Sequence, residues 1–205
     1  MTMIKLFKNR WALSTVVTTL IILVISVLLA SVVTYYAINV VSTRVQEEHL
    51  HITKQHIWLN ATATPGTPAY AVGSVMIINT GGRDVVIDKI AVRGQECPWN
   101  LTETVGQQKF VTYCTTAGAI PEDLTYVPNF NYSGGVNYNM LGSTQYNFTV
   151  PTNDLILKSG YTMLIYIINP DSIAVNDVGL TVSITIHTAQ AVNYIETNVQ
   201  AVASS

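Results

Sequence analysis

The chain has 205 residues, of which 49% are hydrophobic and only 11% are charged, and its formal net charge is -2. Soluble domains carry roughly 25% charged residues, so this composition favours a membrane or assembly-core protein with one domain beside an apolar segment. Beyond the first twelve residues, seven basic side chains stand against twelve acidic ones. Because such a weakly acidic surface offers no basic patch, we expect no nucleic-acid partner.

The apolar segment covers residues 11–41, which include no charged residue, no glycine and no proline. At 1.5 Å per residue, one helix of this length extends about 45 Å, whereas a bilayer core is about 30 Å thick. Lys5, Lys8 and Arg10 precede it, so the positive-inside rule predicts a cytoplasmic N-terminus and an external C-terminal domain. The run exceeds the 7–15 apolar residues of a secretory signal, although secretory cleavage after Ala30 or Ala37 stays open.

A short basic leader, a small residue and then Leu-Ser-Thr-Val-Val before a long aliphatic helix resemble the precursors of archaeal type IV pilins and archaellins. In that family a prepilin peptidase removes the leader, known as a class III signal peptide. The resemblance implies cleavage after Ala12 and a mature N-terminus at Leu13. Trp11 stands between Arg10 and Ala12, where the commonest pattern has the basic residue directly before the small one, so the exact bond stays open. An uncleaved signal-anchor helix is the alternative.

The leader (1–12) follows from this resemblance, and a change from helical to strand spacing separates a hydrophobic helix (13–48) from an extracellular β domain (49–205). The resemblance implies a structural subunit of a type IV pilus-like filament for adhesion or surface attachment, whose helix waits in the membrane and then forms the core of a helical homopolymer. The expected partners are copies of the chain, the membrane, the prepilin peptidase and the assembly machinery. The helix residues assigned to the filament core are Leu13, Val17, Leu20, Val24, Ile25, Val27, Leu28, Ala30, Ser31 and Ile38. A lone membrane-anchored surface protein and an archaellum subunit are the alternative functions.

Residues 49–53 alternate polar and apolar side chains, which is strand spacing and places the junction between helix and sheet near His49. Two β-rich runs, residues 71–79 and 83–93, flank Thr-Gly-Gly and predict a β-hairpin with Val85, Ile87, Ile90 and Val92 facing inward. Further strands are predicted at residues 155–157, 161–168, 179–187 and 191–202, and Leu180, Val182, Ile184 and Ile186 define one buried face. The predicted fold class is α+β, a long helix followed by an antiparallel, Ig-like β-sandwich. Edge strands of such a sheet could pair with neighbouring subunits.

Residues 94–149 are predicted to be a long loop region, and they include both cysteines, Cys97 and Cys114. In an exported domain two cysteines favour an intramolecular disulfide, and closing this loop would stabilise the fold by roughly 3 kcal/mol. Two buried thiols are the alternative. The absence of a CxxC motif argues against a metal or redox role.

Four Asn-x-Ser/Thr sequons lie beyond the helix, at Asn60, Asn100, Asn131 and Asn147. Turn-rich sequence surrounds or flanks each of them, so an exported chain could carry N-linked glycans there. Unmodified asparagines in turns are the alternative.

No catalytic or nucleotide-binding motif occurs in the sequence, so we expect neither enzyme activity nor a cofactor. The histidines His49, His51 and His56 are close enough in sequence to be weighed as metal ligands, but a solvated or interfacial role is favoured. Asp154, Asp171 and Asp177 lie in turns, where short acidic side chains usually bond to the backbone rather than to Ca²⁺.

Overall fold

The computed structural model describes residues 10–67, 69–99, 102–104, 107–118, 120–128, 136–141, 144–170 and 173–202. Two compact units divide at Gln46 and Glu47. The first contains one helix and the second is built from strands, which confirms the predicted α+β class.

Helix α1 runs without interruption over Arg10–Gln46, two residues short of the predicted end. Every residue from 14 to 43 is exposed. This stretch, Ser14–Thr43, is long and apolar enough to cross a membrane, and no other helix of the described residues meets that criterion. A helix that is apolar on all sides needs a cover on all sides, because intrinsic propensity does not offset the exposure of so many aliphatic side chains.

Twelve strands lie among the described residues of the second unit, and ten of them form one curled sheet. Its order is β4-β3-β11-β12-β1-β2-β10-β6-β5, with β9 pairing beside β3. The strands are β1 Leu50–Leu59, β2 Ala71–Asn79, β3 Val85–Val92, β4 Gln95–Glu96, β5 Thr102–Thr104, β6 Gln107–Thr116, β7 Val136–Leu141, β8 Thr144–Phe148, β9 Leu155–Leu157, β10 Thr162–Ile168, β11 Thr181–Thr188 and β12 Val192–Ala201. Strands β7 and β8 form a separate two-stranded sheet.

The sheet is mixed, since β1 and β12 are parallel while its other pairs are antiparallel. A single curled sheet with a parallel pair replaces the predicted Ig-like antiparallel sandwich. The inner face closes around one apolar cluster that includes Ile57, Ile77, Ile87, Ile165 and Ile184. Burial of this face, at roughly 25 cal/mol per Å² of apolar surface, is the main stabilising contribution to the domain.

A second apolar cluster covers the outer face of β2, β10 and β6, and includes Trp58, Phe110, Phe148, Leu164 and Tyr166. Strand β10 therefore packs on both faces, and all seven of its residues are buried. This explains why residues 162–168 form a continuous apolar run instead of alternating with polar residues.

The predicted hairpin of residues 71–93 is wrong. Strand β2 pairs with β1 and β10, whereas β3 pairs with β11, β4 and β9. The predicted inward residues Val85, Ile87, Ile90 and Val92 are nevertheless all buried. The inward positions shift from odd to even residue numbers between Ile87 and Ile90. The shift occurs at an irregularity in the β3–β11 register next to Asp88, because a β-bulge inserts one extra residue into the alternation.

The region predicted to be a loop, residues 94–149, contains the ten-residue strand β6. The sequence did not predict this strand, because its apolar stretches are short. Its buried positions include the polar Thr112 as well as Phe110, Val111 and Cys114. On the predicted face of β11, Val182, Ile184 and Ile186 are buried, but Leu180 precedes the strand and is 50% exposed.

Candidate functional site

The largest exposed apolar surface of the described residues belongs to α1. Seven of the residues assigned to a filament core are 45% to 63% exposed: Val17, Leu20, Val24, Ile25, Val27, Leu28 and Ile38. Ala30 and Ser31 are exposed on the same helix. The predicted cleavage position, between Ala12 and Leu13, lies within α1.

Hydroxyl groups on α1 are bonded to the helix's own backbone. Thr18 donates to the Ser14 carbonyl at 2.9 Å, Ser26 to that of Ile22 at 2.7 Å, and Ser31 to that of Val27 at 2.8 Å. Thr19 and Thr43 make equivalent bonds. Such pairing removes the cost of placing these hydroxyls in an apolar environment, whether that is lipid or neighbouring helices.

The first residues of the outer domain are held by the turn that follows β2. The Thr80 amide donates to the His49 carbonyl at 2.9 Å, and the Thr80 hydroxyl bonds to His49 as well. Gly81 is needed here, because a Cβ on it would lie 3.0 Å from both the Glu47 carbonyl oxygen and the His49 amide nitrogen. The Thr-Gly-Gly segment thus packs against the first residues after α1, instead of joining two paired strands as a hairpin turn.

Asn79 organises that turn from inside the domain. It is fully buried, and its Nδ2 donates to the carbonyls of Arg83 and Leu157, at 2.7 and 3.1 Å. Its Oδ1 accepts from the Gly81 amide at 3.0 Å. The sequence placed this asparagine at the end of a strand and at the start of the Asn-x-Gly-Gly turn. Its bond to the Leu157 carbonyl was not predictable, because Leu157 is 78 residues away along the chain.

No disulfide joins Cys97 and Cys114, so the predicted bond is wrong in this structure. Cys97 belongs to the inner cluster and Cys114 to the outer one. The sheet lies between the two clusters, and a disulfide needs Cα atoms within about 7 Å and Cβ atoms that face each other. The alternative of two buried thiols matches the structure.

An open cleft of about 470 Å³ lies beside Cys114. It is lined by Tyr113, Cys114, Thr115, Thr116, Tyr146, Asn147 and Thr149. Burial raises the pKa of the Cys114 thiol, although a backbone hydrogen bond from Asn147 opposes the shift. A raised pKa disfavours the thiolate, which is the form in which a cysteine acts as a nucleophile.

Two of the four sequons fall on described residues. Asn60 follows β1, and its Oδ1 accepts from the amide of Thr62 at 3.0 Å and from the Thr62 hydroxyl at 2.6 Å. Asn147 is exposed on β8. Asn100 and Asn131 lie outside the described residues, and N-linked glycans at all four positions stay a prediction.

The weighed metal ligands do not converge. His49 bonds to Thr80, His51 is exposed on β1, and His56 bonds to Asp123. No group of three or more His, Cys, Asp or Glu side chains that could hold a metal occurs among the described residues.

Of the three turn aspartates, Asp154 is exposed, whereas Asp171 lies outside the described residues. Asp177 accepts from the Ala174 amide at 2.8 Å and from Arg93 Nη1 at 2.9 Å. The backbone hydrogen bond from Ala174, aided by Arg93, lowers the pKa of Asp177 against the opposing effect of burial. Its role is therefore to fix the turn before β11.

Comparison with models of known protein families gives no match to this chain, and comparison with curated proteins gives none either.

Proposed function

We propose that the chain is a structural subunit of an extracellular pilus-like filament. Its helix α1 would sit in the membrane before assembly and pack against the same helix of neighbouring subunits afterwards. The observation that carries this proposal is a single helix, Ser14–Thr43, that is apolar and exposed on every side.

Length supports a bundle as well as a membrane. Thirty residues extend about 45 Å, so an upright helix exceeds a hydrocarbon core of about 30 Å by roughly half, and the excess needs tilt or another apolar cover. Copies of α1 provide such a cover along its whole length. Ala30 and Ser31 are small enough to allow close approach of two backbones, and Val27 and Leu28 beside them can interdigitate.

The edges of the sheet support assembly through the helix rather than through strand pairing. The edge strand β4 has two residues, and β5 at the other edge has three. Beyond β5, strand β6 is covered in part, since the Val111 amide donates to the Trp99 carbonyl and Tyr113 exchanges two backbone bonds with Thr149, so these edges leave few unpaired backbone groups to a neighbouring subunit. The polymerising surface that we propose is therefore α1.

A membrane-anchored surface protein is the second candidate, because an anchor also requires one apolar helix with its hydroxyls bonded internally. In both cases the outer domain would lie outside the cell, as the positive-inside rule predicts. The two candidates differ in what covers α1 in the functional state.

The substitution Ile25→Asp distinguishes a filament subunit from a membrane-anchored protein. Ile25 is 50% exposed at mid-helix, and an Asp there costs about 2.5 to 3.5 kcal/mol on insertion scales, so membrane insertion is expected to survive. In a polymer the same unpaired charge would be buried in every subunit. We expect Ile25→Asp to give membrane-bound protein but no sheared surface filaments under the electron microscope, and the matched variant Ile25→Leu to give filaments. Wild-type-like filaments from Ile25→Asp would refute α1 as the assembly core.

A further inference from the structure

Residues 120–128, which we call the strap, run over the outer apolar cluster of the sheet. Ile120, Leu124 and Val127 are buried in that cluster. The Tyr166 hydroxyl donates to the Thr125 carbonyl at 3.0 Å, and the Tyr126 hydroxyl donates to the Ala69 carbonyl. The strap thus closes a layer that would otherwise expose the apolar outer face of β2, β10 and β6.

Two side chains of strand β1, those of Lys54 and His56, contact the beginning of the strap. Lys54 lies at an irregularity of the β1–β2 register and has a φ of 53°, which directs its side chain out of the regular alternation. Its ammonium group donates to the carbonyl of Ile120 at 2.7 Å and also to that of Glu122. His56 Nε2 lies 3.3 Å from Asp123 Oδ1.

Beneath the strap, a row of polar residues crosses four adjacent strands. The registers place His56 opposite Ser74, Ser74 opposite Tyr166, and Tyr166 opposite Thr112. Among the described residues, His56 Nδ1, Ser74 Oγ and Thr112 Oγ1 are buried without a hydrogen-bond partner, and so is Glu122 Oε2 in the strap. Unpaired buried polar atoms are costly, so the hydrogen bonding of these groups depends on protonation or bound water.

The charges at this locus are unbalanced when His56 is neutral. The strap contains the acidic residues Glu122 and Asp123, of which Asp123 faces His56, and the ammonium of Lys54 on β1 is bonded to backbone carbonyls of the strap. Strand β2 has no ionisable side chain. On β12, the other neighbour of β1, the carboxylate of Glu196 accepts from the Tyr194 hydroxyl.

Protonation of His56 would supply the second positive charge. It converts the contact with Asp123 into an ion pair joined by a charge-assisted hydrogen bond. The imidazole also stacks on Trp58, with ring centroids 4.9 Å apart and planes 12° apart, and the face of an indole attracts a cation.

We propose that the strap is a pH-sensitive cover, fastened more tightly when His56 is protonated and loosened when His56 is neutral. Loosening exposes the apolar outer cluster. This device acts within the outer domain and is independent of whether α1 anchors or polymerises.

Hydrogen exchange tests the proposal on the full-length chain in detergent micelles, at pH 5.5 and pH 7.5, with each rate divided by the intrinsic rate at that pH. We expect opening of peptides from residues 120–128 to be about two- to fivefold more frequent at pH 7.5, which is the size of a partly exposed ion pair. In His56→Gln, which cannot gain the charge, this pH difference should vanish.

Two further variants make the result specific. Asp123→Asn should also abolish the pH difference, and because the Asp123 side chain is 70% exposed this substitution leaves the fold intact even where His56→Gln does not. His51→Gln, at an exposed histidine of the same strand, should keep the wild-type difference. A wild-type chain without the difference, or an unchanged difference in Asp123→Asn, would overturn the proposal.

Discussion

A single buried amide, Asn169, joins four separate segments of the outer domain. Its Nδ2 lies 2.7 to 2.9 Å from the carbonyl oxygens of Gly66, Thr67 and Gln108, and its Oδ1 accepts from the Ala71 amide at 3.3 Å. Asn169 also has a φ of 48°, a region that asparagine tolerates better than most residues. Its position after β10 brings the long connection between β1 and β2 against β6.

We expect Asn169→Gly to lower the free energy of unfolding by about 1 to 3 kcal/mol, because glycine keeps the positive φ but removes the amide's hydrogen bonds to the surrounding carbonyls and to the Ala71 amide. Asn169→Ala should cost about 1 kcal/mol more, since a Cβ without a polar side chain strains that conformation. Denaturant titration in detergent micelles, followed by tryptophan fluorescence, measures both. A cost below about 0.5 kcal/mol for Asn169→Gly would show that the amide network contributes nothing.

At this scale the sequence predicted a turn but not the network within it. Asn169-Pro170 signals a turn through local backbone preferences. The partners Gly66 and Gln108 are 103 and 61 residues away, so only the sheet order brings them together. The cysteine prediction failed for the same reason: export chemistry favours a bond, but Cys97 and Cys114 pack in different clusters.

At the scale of elements, the turn after β2 fixes the start of the outer domain. Gly81 allows the backbone of residues 47–49 to approach, and Ser159 donates to the Gly81 carbonyl at 2.6 Å from the other side. The Thr188 hydroxyl donates to the carboxylate of Glu48 at 2.8 Å. The turn after β2, itself braced by Ser159, and the end of β11 therefore hold the chain where it leaves α1.

We expect Gly81→Ala to destabilise the domain by about 1 to 3 kcal/mol, the usual cost of forcing a methyl group against fixed backbone atoms. The Thr80–His49 bond should loosen first, so cleavage at Glu47 and Glu48 by a glutamate-specific protease should become faster. Gly118→Ala is the matched control, because the Thr116 hydroxyl oxygen, 3.9 Å away, is the only atom its Cβ would approach. Equal protease rates in the two variants would contradict the role assigned to Gly81.

Element existence was more predictable than element pairing. Most predicted strands occur within about two residues of their expected bounds, because apolar alternation and turn residues are local signals. For residues 71–93 the two strands were predicted correctly, but their pairing as a hairpin was wrong. A Thr-Gly-Gly turn can also allow another backbone segment, here residues 47–49, to approach it closely. The parallel pairing of β1 with β12 joins residues 142 positions apart and leaves no local signature.

For the whole molecule, the proposed filament depends on losing the leader as well as on the helix. Residues 1–12 carry Lys5, Lys8 and Arg10, and the rest of the chain has seven basic and twelve acidic residues. An intact leader would place these three basic residues directly before the apolar part of α1. Three uncompensated cations entering a bundle of apolar helices would each cost several kcal/mol.

We therefore expect subunits in assembled material to begin at Leu13, with α1 otherwise intact. N-terminal sequencing or peptide mass mapping of sheared filaments checks this, and Ala12→Leu should block processing and leave the precursor in the membrane without filaments, because the resemblance implies a small residue before the cut. Met3→Leu, within the leader but away from the bond, should be processed normally. Filaments whose subunits begin at Met1 or Met3 would show that the leader is compatible with assembly, and unassembled membrane protein with the same N-terminus would favour an anchor.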